Sequence, residues 1–132
     1  MQDILDHVGF PVRDYAVSMK FYKAVLAPLG ISLLKEYNFA DDGSEGYAGF
    51  GRTRPQFWIG TGEEIKGRLH VAFVATSREE VHAFYDAAIA AGGRDNGKPG
   101  LRPHYHANYY GAFVLDPDGH NIEAVTHLPD DA

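Results

Sequence analysis

Apolar residues follow two different spacings along this chain. Residues 4–12 and 69–76 are short segments rich in apolar, β-branched and aromatic side chains, which is typical of β-strands. Each segment is followed by a stretch in which apolar residues recur every three or four positions, the period of an amphipathic helix. Asp14 and Ser77 precede these stretches, and both are favourable helix N-cap residues. The pattern therefore predicts a strand followed by a helix, twice.

Shorter strand patterns follow each predicted helix. Residues 31–37, 47–51 and 56–60 come after the first helix. A weak strand near Arg94, then residues 111–115 and 121–127, come after the second, and Asp-Pro-Asp-Gly at 116–119 predicts a turn between the last two. The sequence predicts an α+β fold made of two β-α-β-β-β modules.

The two modules also resemble each other in sequence. His70-Val71-Ala72-Phe73 repeats His7-Val8-Gly9-Phe10 at a shift of 63 residues, and residues 7–30 share 8 identities with residues 70–93. Average amino-acid usage would give roughly one or two such matches by chance. No Ser/Gly-rich linker separates the halves. We therefore predict one domain over residues 1–132, with modules at about 1–63 and 64–132.

Composition narrows the classes of function. Apolar residues make up 45% and charged residues 23%, as in ordinary globular proteins. The net charge of −6, without a Lys/Arg cluster, argues against nucleic-acid binding, and no apolar run approaches a membrane span. The absence of cysteine excludes disulfides and thiolate sites. The first residues lack a secretory pattern, so we expect a cytoplasmic protein that acts on small molecules.

Three ionisable residues stand out because of the face on which they lie. Side chains alternate along a strand, so His7 lies opposite Phe10 and its helix-side neighbours, and His70 lies opposite Phe73. Glu123 has the same outward parity in the last strand. A lone strand histidine is more often a hydrogen-bonded structural residue, but a pseudo-twofold repeat is expected to bring these two together. Two imidazoles and one carboxylate suit a divalent Fe, Mn, Ni, Co or Zn ion.

The tandem modules, the repeated histidine and the stretch Leu-Asp-Pro-Asp-Gly-His-Asn-Ile-Glu at 115–123 resemble the vicinal oxygen chelate superfamily over nearly the whole chain. This superfamily groups glyoxalase I, fosfomycin-resistance transferases, bleomycin-resistance proteins and extradiol dioxygenases. The resemblance implies that His7, His70 and Glu123 bind the metal. It also implies a cupped eight-stranded mixed sheet with the helices outside, a homodimer, and a metal that acts as a Lewis acid on substrate oxygens.

Two departures from the superfamily pattern bear on the reaction. Glyoxalase I enzymes carry a Glu ligand on the last strand of the first module, where the 63-residue shift places Gly60. Extradiol dioxygenases and fosfomycin transferases commonly place a Tyr ten residues before the final Glu, where this chain has Phe113. We therefore expect weak glyoxalase activity and little catechol ring cleavage, unless another residue such as Tyr109 or Glu63 substitutes.

The segment 102–110 is rich in histidine and tyrosine. We predict that Tyr109 and His106 act with Glu123 in catalysis, Tyr109 as a hydrogen-bond donor and His106 as an acid or base. His104 and His106 form a His-x-His pair, which could hold a second metal ion. The alternative is that this segment is a packed structural loop or a dimer contact. Several residues are predicted to contact substrate. The predicted substrate-binding residues are Trp58, Arg102, His104, Tyr110 and Phe113.

Two functions remain after these observations. The first is a divalent-metal-dependent enzyme of the glyoxalase or dioxygenase kind that acts on a small substrate with adjacent oxygens. The second is a metal-free dimer that sequesters a small ligand, as bleomycin-resistance proteins do. The aromatic residues suit the second function, whereas the complete set His7, His70 and Glu123 favours the first.

Overall fold

The structure is a computed structural model that describes residues 4–63 and 65–130. The elements follow the predicted order, with one strand, one helix and three strands in each module. The first module contains β1 (Val8–Val12), α1 (Tyr15–Leu26), a 3-10 turn (Ala27–Leu29), β2 (Ser32–Asn38), β3 (Gly46–Gly51) and β4 (Phe57–Thr61). The second contains β5 (His70–Val74), α2 (Arg78–Ala90), β6 (Arg94–Leu101), β7 (Tyr110–Leu115) and β8 (Asn121–Thr126).

The strands form two sheets of four, one for each module. Their orders are β1-β4-β3-β2 and β5-β8-β7-β6, with parallel pairing of β1 with β4 and of β5 with β8. The mixed sheets and the two modules confirm the predicted α+β fold. The strands are not joined into one eight-stranded sheet, because in the described residues β1 and β5 each pair only within their own module.

Both helices begin at the residues that the sequence indicates. The Asp14 carboxylate accepts a hydrogen bond from the Val17 backbone N–H, and the Ser77 hydroxyl accepts one from the Glu80 N–H. The apolar sides of the helices bury Phe21 and Phe84 among the side chains of both sheets. The opposite face of each sheet is thereby left for the candidate site residues.

The turn between β7 and β8 is hydrogen-bonded to the first module. The buried Asp116 carboxylate accepts hydrogen bonds from the Tyr22 hydroxyl at 2.5 Å and from the backbone N–H groups of Asp118 and His120. The Asp118 carboxylate accepts another from the Arg13 backbone N–H at 2.8 Å. The Asp-Pro-Asp-Gly stretch is therefore a junction between the modules.

His120 belongs to the same junction. Its ring is buried and packs edge-on against Phe10 of β1, with the ring centroids 5.4 Å apart. Its Nδ1 accepts a hydrogen bond from the Leu69 backbone N–H at 3.1 Å. Its role in the structure is to support the start of β5, which carries His70.

Within the part of the chain that the structure describes, no helix combines the length and apolar character that crossing a membrane requires.

Candidate functional site

His70 and Glu123 meet on the face of the second sheet that points away from the helices. Ala72 of β5 pairs with Glu123 of β8, so His70 lies two residues earlier on the neighbouring strand and on the same face. The His70 Nε2 atom is 2.8 Å from Glu123 Oε1. The predicted convergence of one imidazole with the carboxylate is therefore present in the structure.

The two side chains differ in exposure. The Glu123 side chain is 1% exposed, whereas the His70 side chain is 53% exposed. The second carboxylate oxygen, Oε2, accepts a hydrogen bond from the Tyr109 hydroxyl. Gly111 makes room for this pair, because a Cβ there would lie 3.1 Å from Oε2. Solvent therefore reaches the site from the His70 side.

Tyr109 is held in its protonated form. Burial, together with the hydrogen bond to Glu123 and the charge of that carboxylate, raises the pKa of the Tyr109 phenol well above its ordinary value. At neutral pH the phenol is therefore a hydrogen-bond donor. The phenol is suited to donate a hydrogen bond and does not suit a role as a base.

His7 lies apart from this pair in a single chain. Its Nδ1 atom is 2.7 Å from the Asp6 carboxylate, and the residue lines one cleft of the first sheet and a second cleft that also includes Val71 and Val74 of β5. The hydrogen bond to His7, and then the charge of Arg54, lower the pKa of Asp6. Among the described residues, no three His, Cys, Asp or Glu side chains are grouped closely enough to hold one ion. The chain alone thus brings together two of the three predicted ligands, His70 and Glu123.

The strand register changes one alignment inferred from the repeat. Trp58 pairs with Gly9 as Glu123 pairs with Ala72, and Gly9 and Ala72 are the repeat equivalents. Trp58, rather than Gly60, therefore occupies the position equivalent to Glu123. The 63-residue shift fails here because the second module has two more residues between its paired strands. Neither Trp58 nor Gly60 has a carboxylate, so the first module has none at the position equivalent to Glu123.

Arg102 serves mainly to hold the loop before β7. Its guanidinium donates to the backbone carbonyls of Lys98 and Gly100, each at 2.8 Å, and lies 5.3 Å from the centre of the Phe113 ring. Its backbone N–H donates to the Tyr109 carbonyl at 2.7 Å. The side chain thus already uses donors that we predicted would bind substrate.

The other predicted residues of the loop divide between two faces. Phe113 lies directly opposite Glu123 on the neighbouring strand, and the rings of His70 and Phe113 are 6.3 Å apart. Tyr110 lies on the helix side, where its hydroxyl is 2.5 Å from His82 Nε2. The alternation of side chains along β7 accounts for this, so the structure does not bring Tyr110 to Glu123.

The two histidines of the loop lie beside tyrosine rings. His104 packs on Tyr105, with the ring centroids 4.2 Å apart. His106 contacts the Tyr109 ring at 5.6 Å, and its Nε2 is 2.5 Å from Nδ1 of His127. His127 was not among the predicted site residues, because its place near the C-terminus of the chain gave no sign of this contact. His106 therefore reaches Glu123 only through Tyr109.

A family model described as the Glyoxalase/Bleomycin resistance protein/Dioxygenase superfamily matches residues 4–124. Among curated proteins, none is significantly similar in sequence to this chain. The matched region extends from before β1 into β8 and includes all three predicted ligands.

Several solved structures share the fold. A glyoxalase/bleomycin resistance protein from Albidiferax ferrireducens T118 is 31% identical, with a TM-score of 0.74, over 93% of this chain and 98% of that one. A glyoxalase I mutant from Zea mays is 24% identical, with a TM-score of 0.67, over 92% of this chain and 46% of that one. A fosfomycin resistance protein mutant from Listeria monocytogenes, complexed with Mn(II) and 1S,2S-dihydroxypropylphosphonic acid, is 18% identical, with a TM-score of 0.66, over 95% of this chain and 90% of that one.

Proposed function

The chain belongs to the Glyoxalase/Bleomycin resistance protein/Dioxygenase superfamily, and from that premise we propose that it is a divalent-metal-dependent enzyme acting on a small substrate with adjacent oxygens. The observation that carries this proposal is the contact between His70 Nε2 and Glu123 Oε1. It presents an imidazole nitrogen and a carboxylate oxygen together, and both are ligands for Fe, Mn, Ni, Co or Zn.

The donor set fits a metal when a second copy of the chain completes it. His7 does not reach the pair within one chain, so we propose that His7 of a second copy is the third ligand in a homodimer. The hydrogen-bonding edges of β1 and β5 support this arrangement, since in the described part of the chain each strand has a neighbour in its sheet on one side only. Leu5 and Val74 expose apolar surface beside these edges, which a second copy would cover.

In this proposal each residue of the site has a separate task. A bound divalent ion supplies Lewis-acid stabilisation of negative charge on the substrate oxygens. Tyr109 donates to Glu123 Oε2, which fixes the orientation of the carboxylate so that Oε1 faces His70. Phe113 covers the site from the neighbouring strand, and His106 holds the Tyr109 ring in place.

Residues that this chain lacks, as well as those that it has, support a proposal about the reaction. Trp58 stands where a first-module carboxylate would stand, and Phe113 stands in place of a phenol. Tyr109 brings a phenol to Glu123 from the loop instead. We therefore propose lyase or isomerase chemistry on an oxygen-bearing substrate other than the usual glyoxalase one, with low catechol-cleaving activity.

Elemental analysis of protein purified without a chelator or nickel affinity resin tests the metal requirement. The unsubstituted protein is expected to carry close to one divalent ion per chain. His70→Ala and Glu123→Ala are each expected to lose most of it, since each removes one protein ligand. His82→Ala is the matched control, because this exposed histidine of α2 contacts the Tyr110 hydroxyl on the helix side instead. Equal metal content in the three variants and the parent protein would contradict the proposal.

A metal-free ligand-binding protein is the second candidate, and one observation favours it. The first sheet places Trp58, Tyr37 and Tyr47 on the face that also carries His7. Such a surface binds apolar ligands without a metal. The same elemental analysis separates the two candidates, because this one predicts no bound metal and unchanged ligand affinity in His70→Ala.

A further inference from the structure

Three aromatic side chains share the face of the first sheet that points away from the helices. Tyr37 pairs with Tyr47 across β2 and β3, and Trp58 of β4 lies opposite Gly49 of β3. The Tyr37 and Trp58 rings are nearly parallel, with 19° between their planes and 6.2 Å between their centroids. We call Tyr37, Tyr47 and Trp58 the aromatic platform.

Glycines let these rings lie close to the backbone. A Cβ at Gly49 would be 2.7–2.8 Å from three carbons of the Trp58 six-membered ring, so the face of that ring rests on the glycine. A Cβ at Gly60 would be 2.2 Å from the Tyr47 ring. Any larger residue at either position would lift a ring from the sheet. The Phe39 ring packs edge-on against Tyr47, with the ring centroids 4.8 Å apart, and the three platform rings form a partly exposed surface on the sheet.

The platform is exposed and has a positive charge at its edge. Tyr37 is 48% and Tyr47 is 46% exposed. The Lys35 ammonium group lies 5.3 Å from the centre of the Tyr37 ring. The neighbouring Glu36 carboxylate faces the other way and accepts a hydrogen bond from Tyr15. In a chain with a net charge of −6, the platform thus combines a cation, which lies over the Tyr37 ring, with partly exposed aromatic surface.

We propose that the aromatic platform binds the planar ring of a small aromatic anion. A flat aromatic side chain can stack on a planar aromatic ring whatever substituents that ring carries, because every such ring has a π-face. Lys35 then favours a carboxylate or phenolate substituent on that ring. Trp58 and His7 line the same cleft, so a ring on the platform would lie beside a proposed metal ligand. Only this last placement rests on the proposed function.

Calorimetric titration with naphthoate, and with cyclohexanecarboxylate as the non-aromatic anion, tests the proposal. Trp58 is the single tryptophan of the chain, so its fluorescence reports directly on the platform. We expect naphthoate to bind at least about tenfold more tightly than cyclohexanecarboxylate and to change the Trp58 emission. Equal affinity for the two anions, or no binding of naphthoate, would overturn the proposal.

Variants locate the binding on the platform. Tyr47→Leu removes an exposed ring, and Gly49→Ala displaces the indole without removing it; each is expected to weaken naphthoate binding about tenfold. Circular dichroism confirms that each variant is folded. Unchanged naphthoate affinity in both folded variants would overturn the proposal.

Two further measurements separate this inference from the proposed function. His70→Ala should lose metal and still bind naphthoate, so failure of the metal proposal leaves the platform intact. Sedimentation velocity should show the same oligomeric state with and without naphthoate. Dissociation of a dimer on adding naphthoate would instead assign the platform to a contact between two copies, and would overturn the proposal.

Discussion

The two modules share one chain path, but they present different chemistry at the same position. In the second module the row across three strands is Ala72, Glu123 and Phe113, and Glu123 is hydrogen-bonded to His70 and Tyr109. In the first module the equivalent row is Gly9, Trp58 and Gly49.

The neighbours of the central residue account for this difference. A buried carboxylate needs partners, and the second module supplies an imidazole and a phenol. A large indole needs space, and the first module supplies glycines on both sides. One module therefore carries the polar site and the other an aromatic surface.

The two junctions between the modules differ in how deeply their hydrogen bonds are buried. The β7–β8 turn of the second module bonds to the first module through the buried Asp116 carboxylate. The β3–β4 turn of the first module bonds to the second module through Arg52. The Arg52 guanidinium donates to the carbonyls of Val74 and Leu29, at 2.7 and 3.1 Å, and the contact to Val74 is exposed.

Asp116→Ala should therefore destabilise the protein much more than Arg52→Ala. The first substitution leaves the Tyr22 hydroxyl and two backbone N–H groups without their acceptor, which costs about 1–3 kcal/mol for each group left buried and unpaired. We expect Arg52→Ala to cost less than about 1 kcal/mol, because water can replace an exposed contact. Urea denaturation measures both free energies of unfolding. Equal losses would show that the two junctions are equivalent.

Tyr109→Phe should have a smaller effect than loss of a ligand residue. The substitution removes the donor to Glu123 Oε2 but keeps the ring that His106 contacts. Loss of a residue that orients a metal ligand typically lowers metal affinity about 10–100-fold. Competition with a chromophoric chelator measures this affinity. Tyr105→Phe is the control, since its ring contacts Tyr109 without a hydrogen bond to Glu123. Unchanged affinity in Tyr109→Phe would remove Tyr109 from the site.

The junction should also produce a pH dependence at alkaline pH. Burial, and then the charge of Asp116, raise the pKa of Tyr22 well above its ordinary value of 10. Above about pH 10 the unfolded chain loses the Tyr22 proton while the native protein retains it, so stability falls as pH rises. Each retained proton contributes about 1.4 kcal/mol per pH unit to that slope.

Tyr22→Phe should reduce the alkaline slope by about that amount, although it also lowers stability at pH 7 by removing one of the three donors to the Asp116 carboxylate. Denaturation at several pH values between 8 and 12 compares the two slopes. Parallel curves for Tyr22→Phe and the parent protein would show that Tyr22 titrates alike in both states.

The sequence predicts the fold better than it predicts the site. Hydrophobic spacing and the N-cap residues Asp14 and Ser77 are local signals, and the structure contains the predicted elements. Side-chain parity also placed His70 and Glu123 on one face, because alternation is a property of each strand alone.

What the sequence did not predict depends on contacts between elements. The repeat suggested that His7 and His70 meet within one chain, but the relative position of two sheets is set by packing that no local pattern encodes. The register error at Gly60 has a similar cause, since two extra residues between β5 and β8 shift the equivalence to Trp58. The Tyr37 and Tyr47 rings were missed because a pairing between strands brings them together.

The central claim is that two copies of the chain share each metal site, and subunit complementation tests it most directly. His7→Ala and His70→Ala each remove a ligand from every site of their own homodimer. In a mixed dimer of the two variants, a shared site would combine His7 of one chain with His70 of the other. Differently tagged chains, refolded together and purified through both tags, give this dimer. We predict about one metal ion per mixed dimer and almost none in either variant alone; a mixed dimer as empty as its parents would contradict the account.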